Sequence, residues 1–181
     1  MEIVKYGNPV LRTKGARIET ITDEIRALAN AMIESMNASN GVGLAAQQVG
    51  YALQLAVVDV AGVEDRPSVL LIDGKEVAIE DWMPMVLVNP VLELGKEKEC
   101  GAEGCLSFPE LSGDIQRSSS VKAKARLIDG RDIEFEAHGF LARALQHEVD
   151  HLNGILFIDR MNSATKASLA GRLKRLVKQQ R

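Results

Sequence analysis

Cysteine is scarce in this chain: Cys100 and Cys105 are the only two in 181 residues. A pair of thiols cannot build a disulfide framework, so the expected compartment is the reducing cytoplasm, where a cysteine is free, a ligand or a nucleophile. Long apolar runs are missing too. No stretch approaches the roughly 18 apolar residues that a membrane span needs, and MEIVKYGNPVLR has no apolar stretch of signal-peptide length. Nor is there a charge excess. A net charge of −3 argues against a surface built for DNA, leaving room only for a local basic patch. Internal repeats, low-complexity tracts and linkers are absent from the sequence, and 181 residues fit one domain, 1–181, with a sizeable core. Histidine is scarce as well, with three in the chain.

Two of those three fall in one short stretch, His147-Glu148-Val149-Asp150-His151. Residues four apart share a helix face, so His147 and His151 can aim both rings at one metal ion. Glu148 flanks that face as a carboxylate free to handle a proton. Around this stretch, Leu141, Ala144, Leu145 and Val149 predict a buried helix from about Gly139 to Leu152, stopped by Asn153-Gly154.

The rest of the chain reads as strands with two further helices. Residues 1–20 are expected to be an extended, irregular lead-in. Thr22 caps a helix carried by Ile25, Leu28, Ala29, Met32, Ile33 and Met36, which Asn40-Gly41 ends. The small residues of Gly41-Val42-Gly43-Leu44-Ala45-Ala46 indicate close backbone approach, either to a ligand or in a tight turn. Strands are predicted at Leu53–Val60, at Val69–Ile72 and Lys75–Ile79 around Asp73-Gly74, and at Met85–Val88 closed by Asn89-Pro90. Two more flank Asp129-Gly130, over Val121–Leu127 and Asp132–Ala137. A last helix covers about Ser163–Gln179. Strands and helices do not alternate as βα units. The predicted class is therefore α+β, with antiparallel or mixed sheets packed around the central helix and a helix near each end.

Two histidines need a third protein ligand to make an open catalytic site. Downstream of His151 only Asp159 is acidic, beyond Gly154, so the better candidate is Cys105 in Glu103-Gly104-Cys105-Leu106-Ser107. A thiolate is a strong ligand for a divalent transition metal, and Gly104 frees the backbone to present it. At this point the chain resembles the peptide deformylase family. GVGLAAQQ, EGCLS and QHEVDH match its three motifs in order, and NPVLR, Asn89-Pro90 and HLNGILF also look like it.

The resemblance implies that Cys105, His147 and His151 bind one metal with water in the fourth position. It implies Glu148 as general acid/base, and Gln48 with the Leu106 backbone N–H as oxyanion hole. Fe²⁺ is the implied ion, with Zn²⁺, Ni²⁺ or Co²⁺ able to occupy the same ligands. The implied substrate is an N-formyl-methionyl nascent peptide, pairing with Val42 and Gly43 as an added strand. Phe140, Ala144 and Val42 are expected to line its methionine pocket, with Arg143 on the rim and its head in water.

Other readings compete at single residues. Cys105 could be a nucleophile with a histidine as base, or could pair with Cys100 in a structural zinc site; Cys100 reads best as a buried small hydrophobe. Glu103 is expected behind the metal ligands with Arg117 as its counter-ion. His138 is expected at the surface or in a cap. A zincin-like peptidase and an inactive ribosome-binding module are the alternatives for the whole chain. The tail from Lys166 to Arg181 has six basic residues and no acidic one, with Leu169, Leu173, Leu176 and Val177 on one stripe. It either packs on its own domain or docks on the ribosome, where phosphate contacts would make binding salt-sensitive. Residues 61–84, with Trp82, are longer than the family pattern and are expected to rim the cleft or mediate association.

Overall fold

The computed structural model describes residues 1–179. Gln180 and Arg181, the latter one of the six tail cations, lie outside the described residues. In chain order the elements are α1 (Asp23–Ala38), β1 (Gly43–Ala45), β2 (Leu55–Val58), β3 (Ser68–Ile72), β4 (Lys75–Val77) and β5 (Met85–Leu94). There follow β6 (Lys98–Cys105), β7 (Phe108–Ser118), β8 (Ser120–Leu127), β9 (Asp132–Gly139), α2 (Phe140–Leu152), α3 (Phe157–Arg160) and α4 (Ser163–Gln179).

Period-two alternation dictates the layers. Leu55 and Val57 of β2, with Val86 and Val88 of β5, pack against Met32 and Met36 of α1. Their neighbours Val58, Met85 and Leu87 point the other way, to Leu141 and Leu145 of α2. A sheet covered on both faces needs such unbroken apolar runs. These strands belong to a seven-stranded sheet ordered β1-β2-β5-β8-β9-β3-β4, with antiparallel neighbours throughout. The hairpin at Asp73-Gly74 forms as predicted and extends the sheet through pairing of β3 with β9. Thr22 caps α1 by accepting from the Ile25 N–H. The class is α+β, as the sequence predicts.

Four local expectations need correction. The strand at Met85 does not close at Asn89-Pro90 but runs on to Leu94 through a bulge. Asn89 sits at positive φ, and its side chain accepts from the Ile18 N–H at 2.9 Å and donates to the Ile18 carbonyl at 2.7 Å. It imitates a strand partner, so the ladder survives the proline. Residues 98–118, where no strand is predicted, form a second, two-stranded sheet, β6-β7. Cys100 on β6 is exposed rather than buried. The lead-in contains a short 3₁₀ turn over Pro9–Arg12, where Asn8 accepts from the Val10 N–H.

The β6-β7 hairpin stands apart from the large sheet and carries its own core. Phe108, Leu111 and Ile115 pack with Leu156, Phe157 and Ile158. Leu173 of α4 is buried in this cluster, with Leu169 and Leu176 against it. The apolar stripe of the last helix is thus packed on its own domain. No described helix is long and apolar enough to cross a membrane.

Candidate active site

Two elements deliver the donors. α2 has no side-chain cap of its own; its first N–H groups donate outward, Phe140 to the Pro67 carbonyl at 3.0 Å and Leu141 to Ser68 Oγ at 2.9 Å. Fixed in this way, the helix sets His147 and His151 one turn apart. The hairpin tip brings Cys105, where the register shifts between Gly104 and Cys105. The ligand atoms of Cys105, His147 and His151 all lie within 4.8 Å of one another. Cys105 Sγ is 3.3 Å from His151 Nε2. That separation is near the edge of a tetrahedron whose bonds are about 2.3 Å to sulfur and about 2.1 Å to nitrogen.

The electrostatics also suit a cation. Burial pushes the His147 ring toward its neutral form, but the Cys105 sulfur and Glu103 carboxylate outweigh this and raise its pKa well above the ordinary value. Glu103 Oε2 accepts from His147 Nδ1 at 3.0 Å, which leaves Nε2 facing the sulfur's side. Burial and the neighbouring His147 drive His151 well below its ordinary pKa, toward the neutral ring that ligation requires. Thiolate and imidazole together are a donor set for divalent transition metals. These three residues fit one.

Glu148 lies beside them, 4% exposed, with Oε2 buried and unpartnered among the described residues. Burial pushes its carboxyl up to about 7. Its close neighbour is Gly43. A β-carbon there would overlap Glu148 Oε1 and stand 2.8 Å from Cδ, so the glycine in β1 makes room for the carboxylate. Gln48, from a 3₁₀ turn over Ala46–Val49, accepts from the Ala45 N–H at 2.9 Å. Its amide nitrogen is thereby turned toward Cys105 Sγ at 3.5 Å and Ser107 Oγ at 3.3 Å. Leu106 follows the sulfur in the hairpin turn, and its carbonyl accepts from Lys5 Nζ at 2.9 Å. Val42, Gly43, Phe140, Ala144 and Glu148 share one cleft of about 660 Å³ with these groups. A second cleft of about 650 Å³, on the Arg117–Asp150–Arg160 side of α2, holds none of the gathered donors.

Arg143 lines the cleft wall, but its head is not in water. It is 2% exposed, and its guanidinium donates to Glu103 Oε1 at 2.9 Å and to the carbonyls of Ile115 and Glu99 at 2.8 and 3.0 Å. Arg117 donates to both oxygens of Glu103, at 2.8 and 3.0 Å, and to Asp150 Oδ2 at 2.5 Å. Asp150 also accepts from Arg160 at 2.7 and 3.1 Å. Burial raises the Glu103 carboxyl, yet His147 and Arg117 outweigh it and hold it well below the ordinary range. This network bolts the hairpin to the helix. His138, by contrast, is half exposed and pairs with Glu136 at 2.8 Å.

Two helix residues escaped the sequence reading. Gln146 accepts from the Ser118 N–H at 3.0 Å and donates to the Ser118 carbonyl at 2.9 Å. Asp150 closes the ion network from the same helix. The signal was present: polar residues four apart on a helix that is otherwise buried need partners.

An antiparallel α+β fold with HExxH histidines and a cysteine sulfur gathered beside one cleft defines a metal-dependent hydrolase. A family model described as polypeptide deformylase matches residues 1–167, and the chain belongs to that family. It is an enzyme of protein biosynthesis that removes formyl groups from N-termini. Peptide deformylase of Methylacidiphilum infernorum is 47% identical over 176 residues, 97% of this chain and 92% of the relative. That of Opitutus terrae is 40% identical over 180 residues, 98% and 93% of the two chains. Among solved structures, Arabidopsis thaliana peptide deformylase 1B bound to an inhibitor superposes with a TM-score of 0.84 at 38% identity, covering 99% of this chain and 91% of that one.

Proposed function

We propose that this enzyme hydrolyses the formamide at the N-terminal methionine of nascent polypeptides in the cytoplasm, releasing formate, with Cys105, His147 and His151 holding one divalent ion. The observation that carries the reading is the gathering of those three donor atoms within 4.8 Å, in contact with the cleft that holds Glu148. Fe²⁺ is the ion proposed, and Zn²⁺, Ni²⁺ and Co²⁺ suit the same donors. When bound, such an ion supplies Lewis acidity and makes water nucleophilic near neutral pH.

The chain's own groups do the rest. Glu148, raised by burial toward neutrality, takes the proton of the attacking water and returns it to the leaving amine. The Gln48 amide and the Leu106 N–H donate to the oxygen as it gains charge, an arrangement whose loss of one donor costs about 3 kcal/mol of barrier. β1 is an edge strand, so the substrate backbone adds alongside Val42 and Gly43. Phe140, Ala144 and Val42 take the methionine side chain. Glu103, anchored by Arg117 and Arg143, keeps His147 in the tautomer and orientation that ligation needs.

The test is formate release from formyl-Met-Ala-Ser by metal-loaded protein, which should occur without cleavage of internal amides. Glu148→Ala should reduce turnover by about 10² or more; a loss within twofold would refute the assigned role. The reading extends to ribosome docking through the outward cations Arg172, Lys174, Arg175 and Lys178 of α4, which the burial pattern leaves exposed. Exchanging these four for glutamine should abolish salt-sensitive sedimentation with ribosomes. Unchanged sedimentation removes that partner.

A further inference from the structure

Residues 61–67 precede β3, and Arg66 from this segment lines the same cleft as the methionine-binding residues. Its guanidinium carbon stands 4.0 Å from the centroid of the Phe140 ring, a cation–π stack. The segment is held tightly where it meets α2. The Pro67 carbonyl accepts from the Phe140 N–H, Ser68 Oγ accepts from the Leu141 N–H, and Gly139 at positive φ has no room for a β-carbon against the Pro67 carbonyl. The residues that follow Arg66 are therefore tied to the start of α2 by the N–H groups of Phe140 and Leu141.

What the guanidinium lacks is an acceptor. Among the described residues no carboxylate lies within 4.0 Å of it, and none of its N–H groups has a protein hydrogen-bond partner, although Glu64 and Asp65 adjoin it in sequence. The other cations of the cleft are engaged: Lys5 on the Leu106 carbonyl, and Arg143 on Glu103. A half-buried, stacked guanidinium with unused donors at a peptide cleft is a carboxylate reader.

We propose that Arg66 is a specificity-determining residue that favours substrates carrying an acidic side chain in the two residues after the formyl-methionine. The inference rests on the deformylase reading above, because the cleft is assigned to peptide on that basis. The Phe140 ring holds the guanidinium over the pocket's edge, within the cleft that takes the peptide. The contribution is that of a partly solvated pair, about two- to fivefold in specificity at low ionic strength, and it fades as salt screens it.

The experiment compares formyl-Met-Asp-Asp with formyl-Met-Lys-Lys, by kcat/KM on metal-loaded protein and by calorimetric binding of the deformylated peptides Met-Asp-Asp and Met-Lys-Lys. The parent should prefer the acidic peptide in both assays. Arg66→Ala should bring the ratio close to one, Arg66→Glu should invert it, and Arg66→Lys should retain most of it because charge, not the stack alone, is read. A ratio unchanged in Arg66→Ala and Arg66→Glu overturns the proposal, as does a parent without acidic preference. If no formyl peptide is turned over, the deformylase reading fails instead. In that event calorimetry still decides Arg66: binding of Met-Asp-Asp over Met-Lys-Lys that Arg66→Glu inverts supports it, and equal binding overturns it.

Discussion

Gly43 shows how far a single side chain's room controls the chemistry. Its missing β-carbon is what lets Glu148 lie against β1. In Gly43→Ala the backbone need not move, since the carboxylate is the free end of a flexible chain and can swing away. The expected outcome is a fall in kcat of about 10²-fold, the cost of misplacing a catalytic group by about 1 Å. The melting temperature should shift little, so activity and thermal denaturation measured on one preparation separate positioning from folding. The glycine was visible in the sequence as a sign of close approach, but nothing in its spacing said what approached. Only the fold brings residue 148 to residue 43. Arg143 taught the opposite lesson. Helical spacing put it on the cleft side, and that holds, yet the acceptors that draw its head inward lie on β6 and β7.

At the scale of elements, the β6-β7 hairpin and α2 meet through Glu103, Arg117, Arg143 and Asp150. Arg117→Met removes the shared cation and leaves two buried carboxylates without it. Breaking such a buried network costs about 3–5 kcal/mol, which urea denaturation should register. The hairpin was the least legible part of the chain. KECGAEGC shows no alternation because most of β6 is exposed, and in FPELSGDIQRS the buried face is shared by Leu111, Ile115 and the charged Arg117, which blurs the apolar pattern. The strands of the seven-stranded sheet were legible for the contrary reason, since β2 and the start of β5 are buried on both faces. α1 was legible from its Thr22 cap and apolar spacing, and α2 from its apolar positions and Asn153-Gly154 stop. Asn89-Pro90 misled because proline ordinarily ends a ladder, and the carboxamide's two bonds to Ile18 compensate within one residue.

For the whole molecule, two carboxyls tie stability to pH. Burial raises both Glu103 and Asp159, but His147 and Arg117 on the first and Arg12 on the second outweigh it, so both titrate below the ordinary range when folded. The unfolded chain therefore binds protons first as pH falls. Their stabilisation is complete above about pH 5 and drains away as the medium becomes more acid than about pH 4. Glu148, raised by burial, acts in the opposite sense between about pH 7 and pH 4, so the urea midpoint should drop between about pH 4.5 and about pH 3, and the drop should shrink in Glu103→Gln, which begins from a lower midpoint. A midpoint flat over that interval would contradict the assignment. One feature of the large sheet reaches beyond stability. Its open margin at β1 is three residues long, too short to grasp more than the opening of any visiting chain. Under the proposed strand addition, such a margin reads the first few residues of a substrate and is blind to everything downstream that distinguishes one newborn protein from the next.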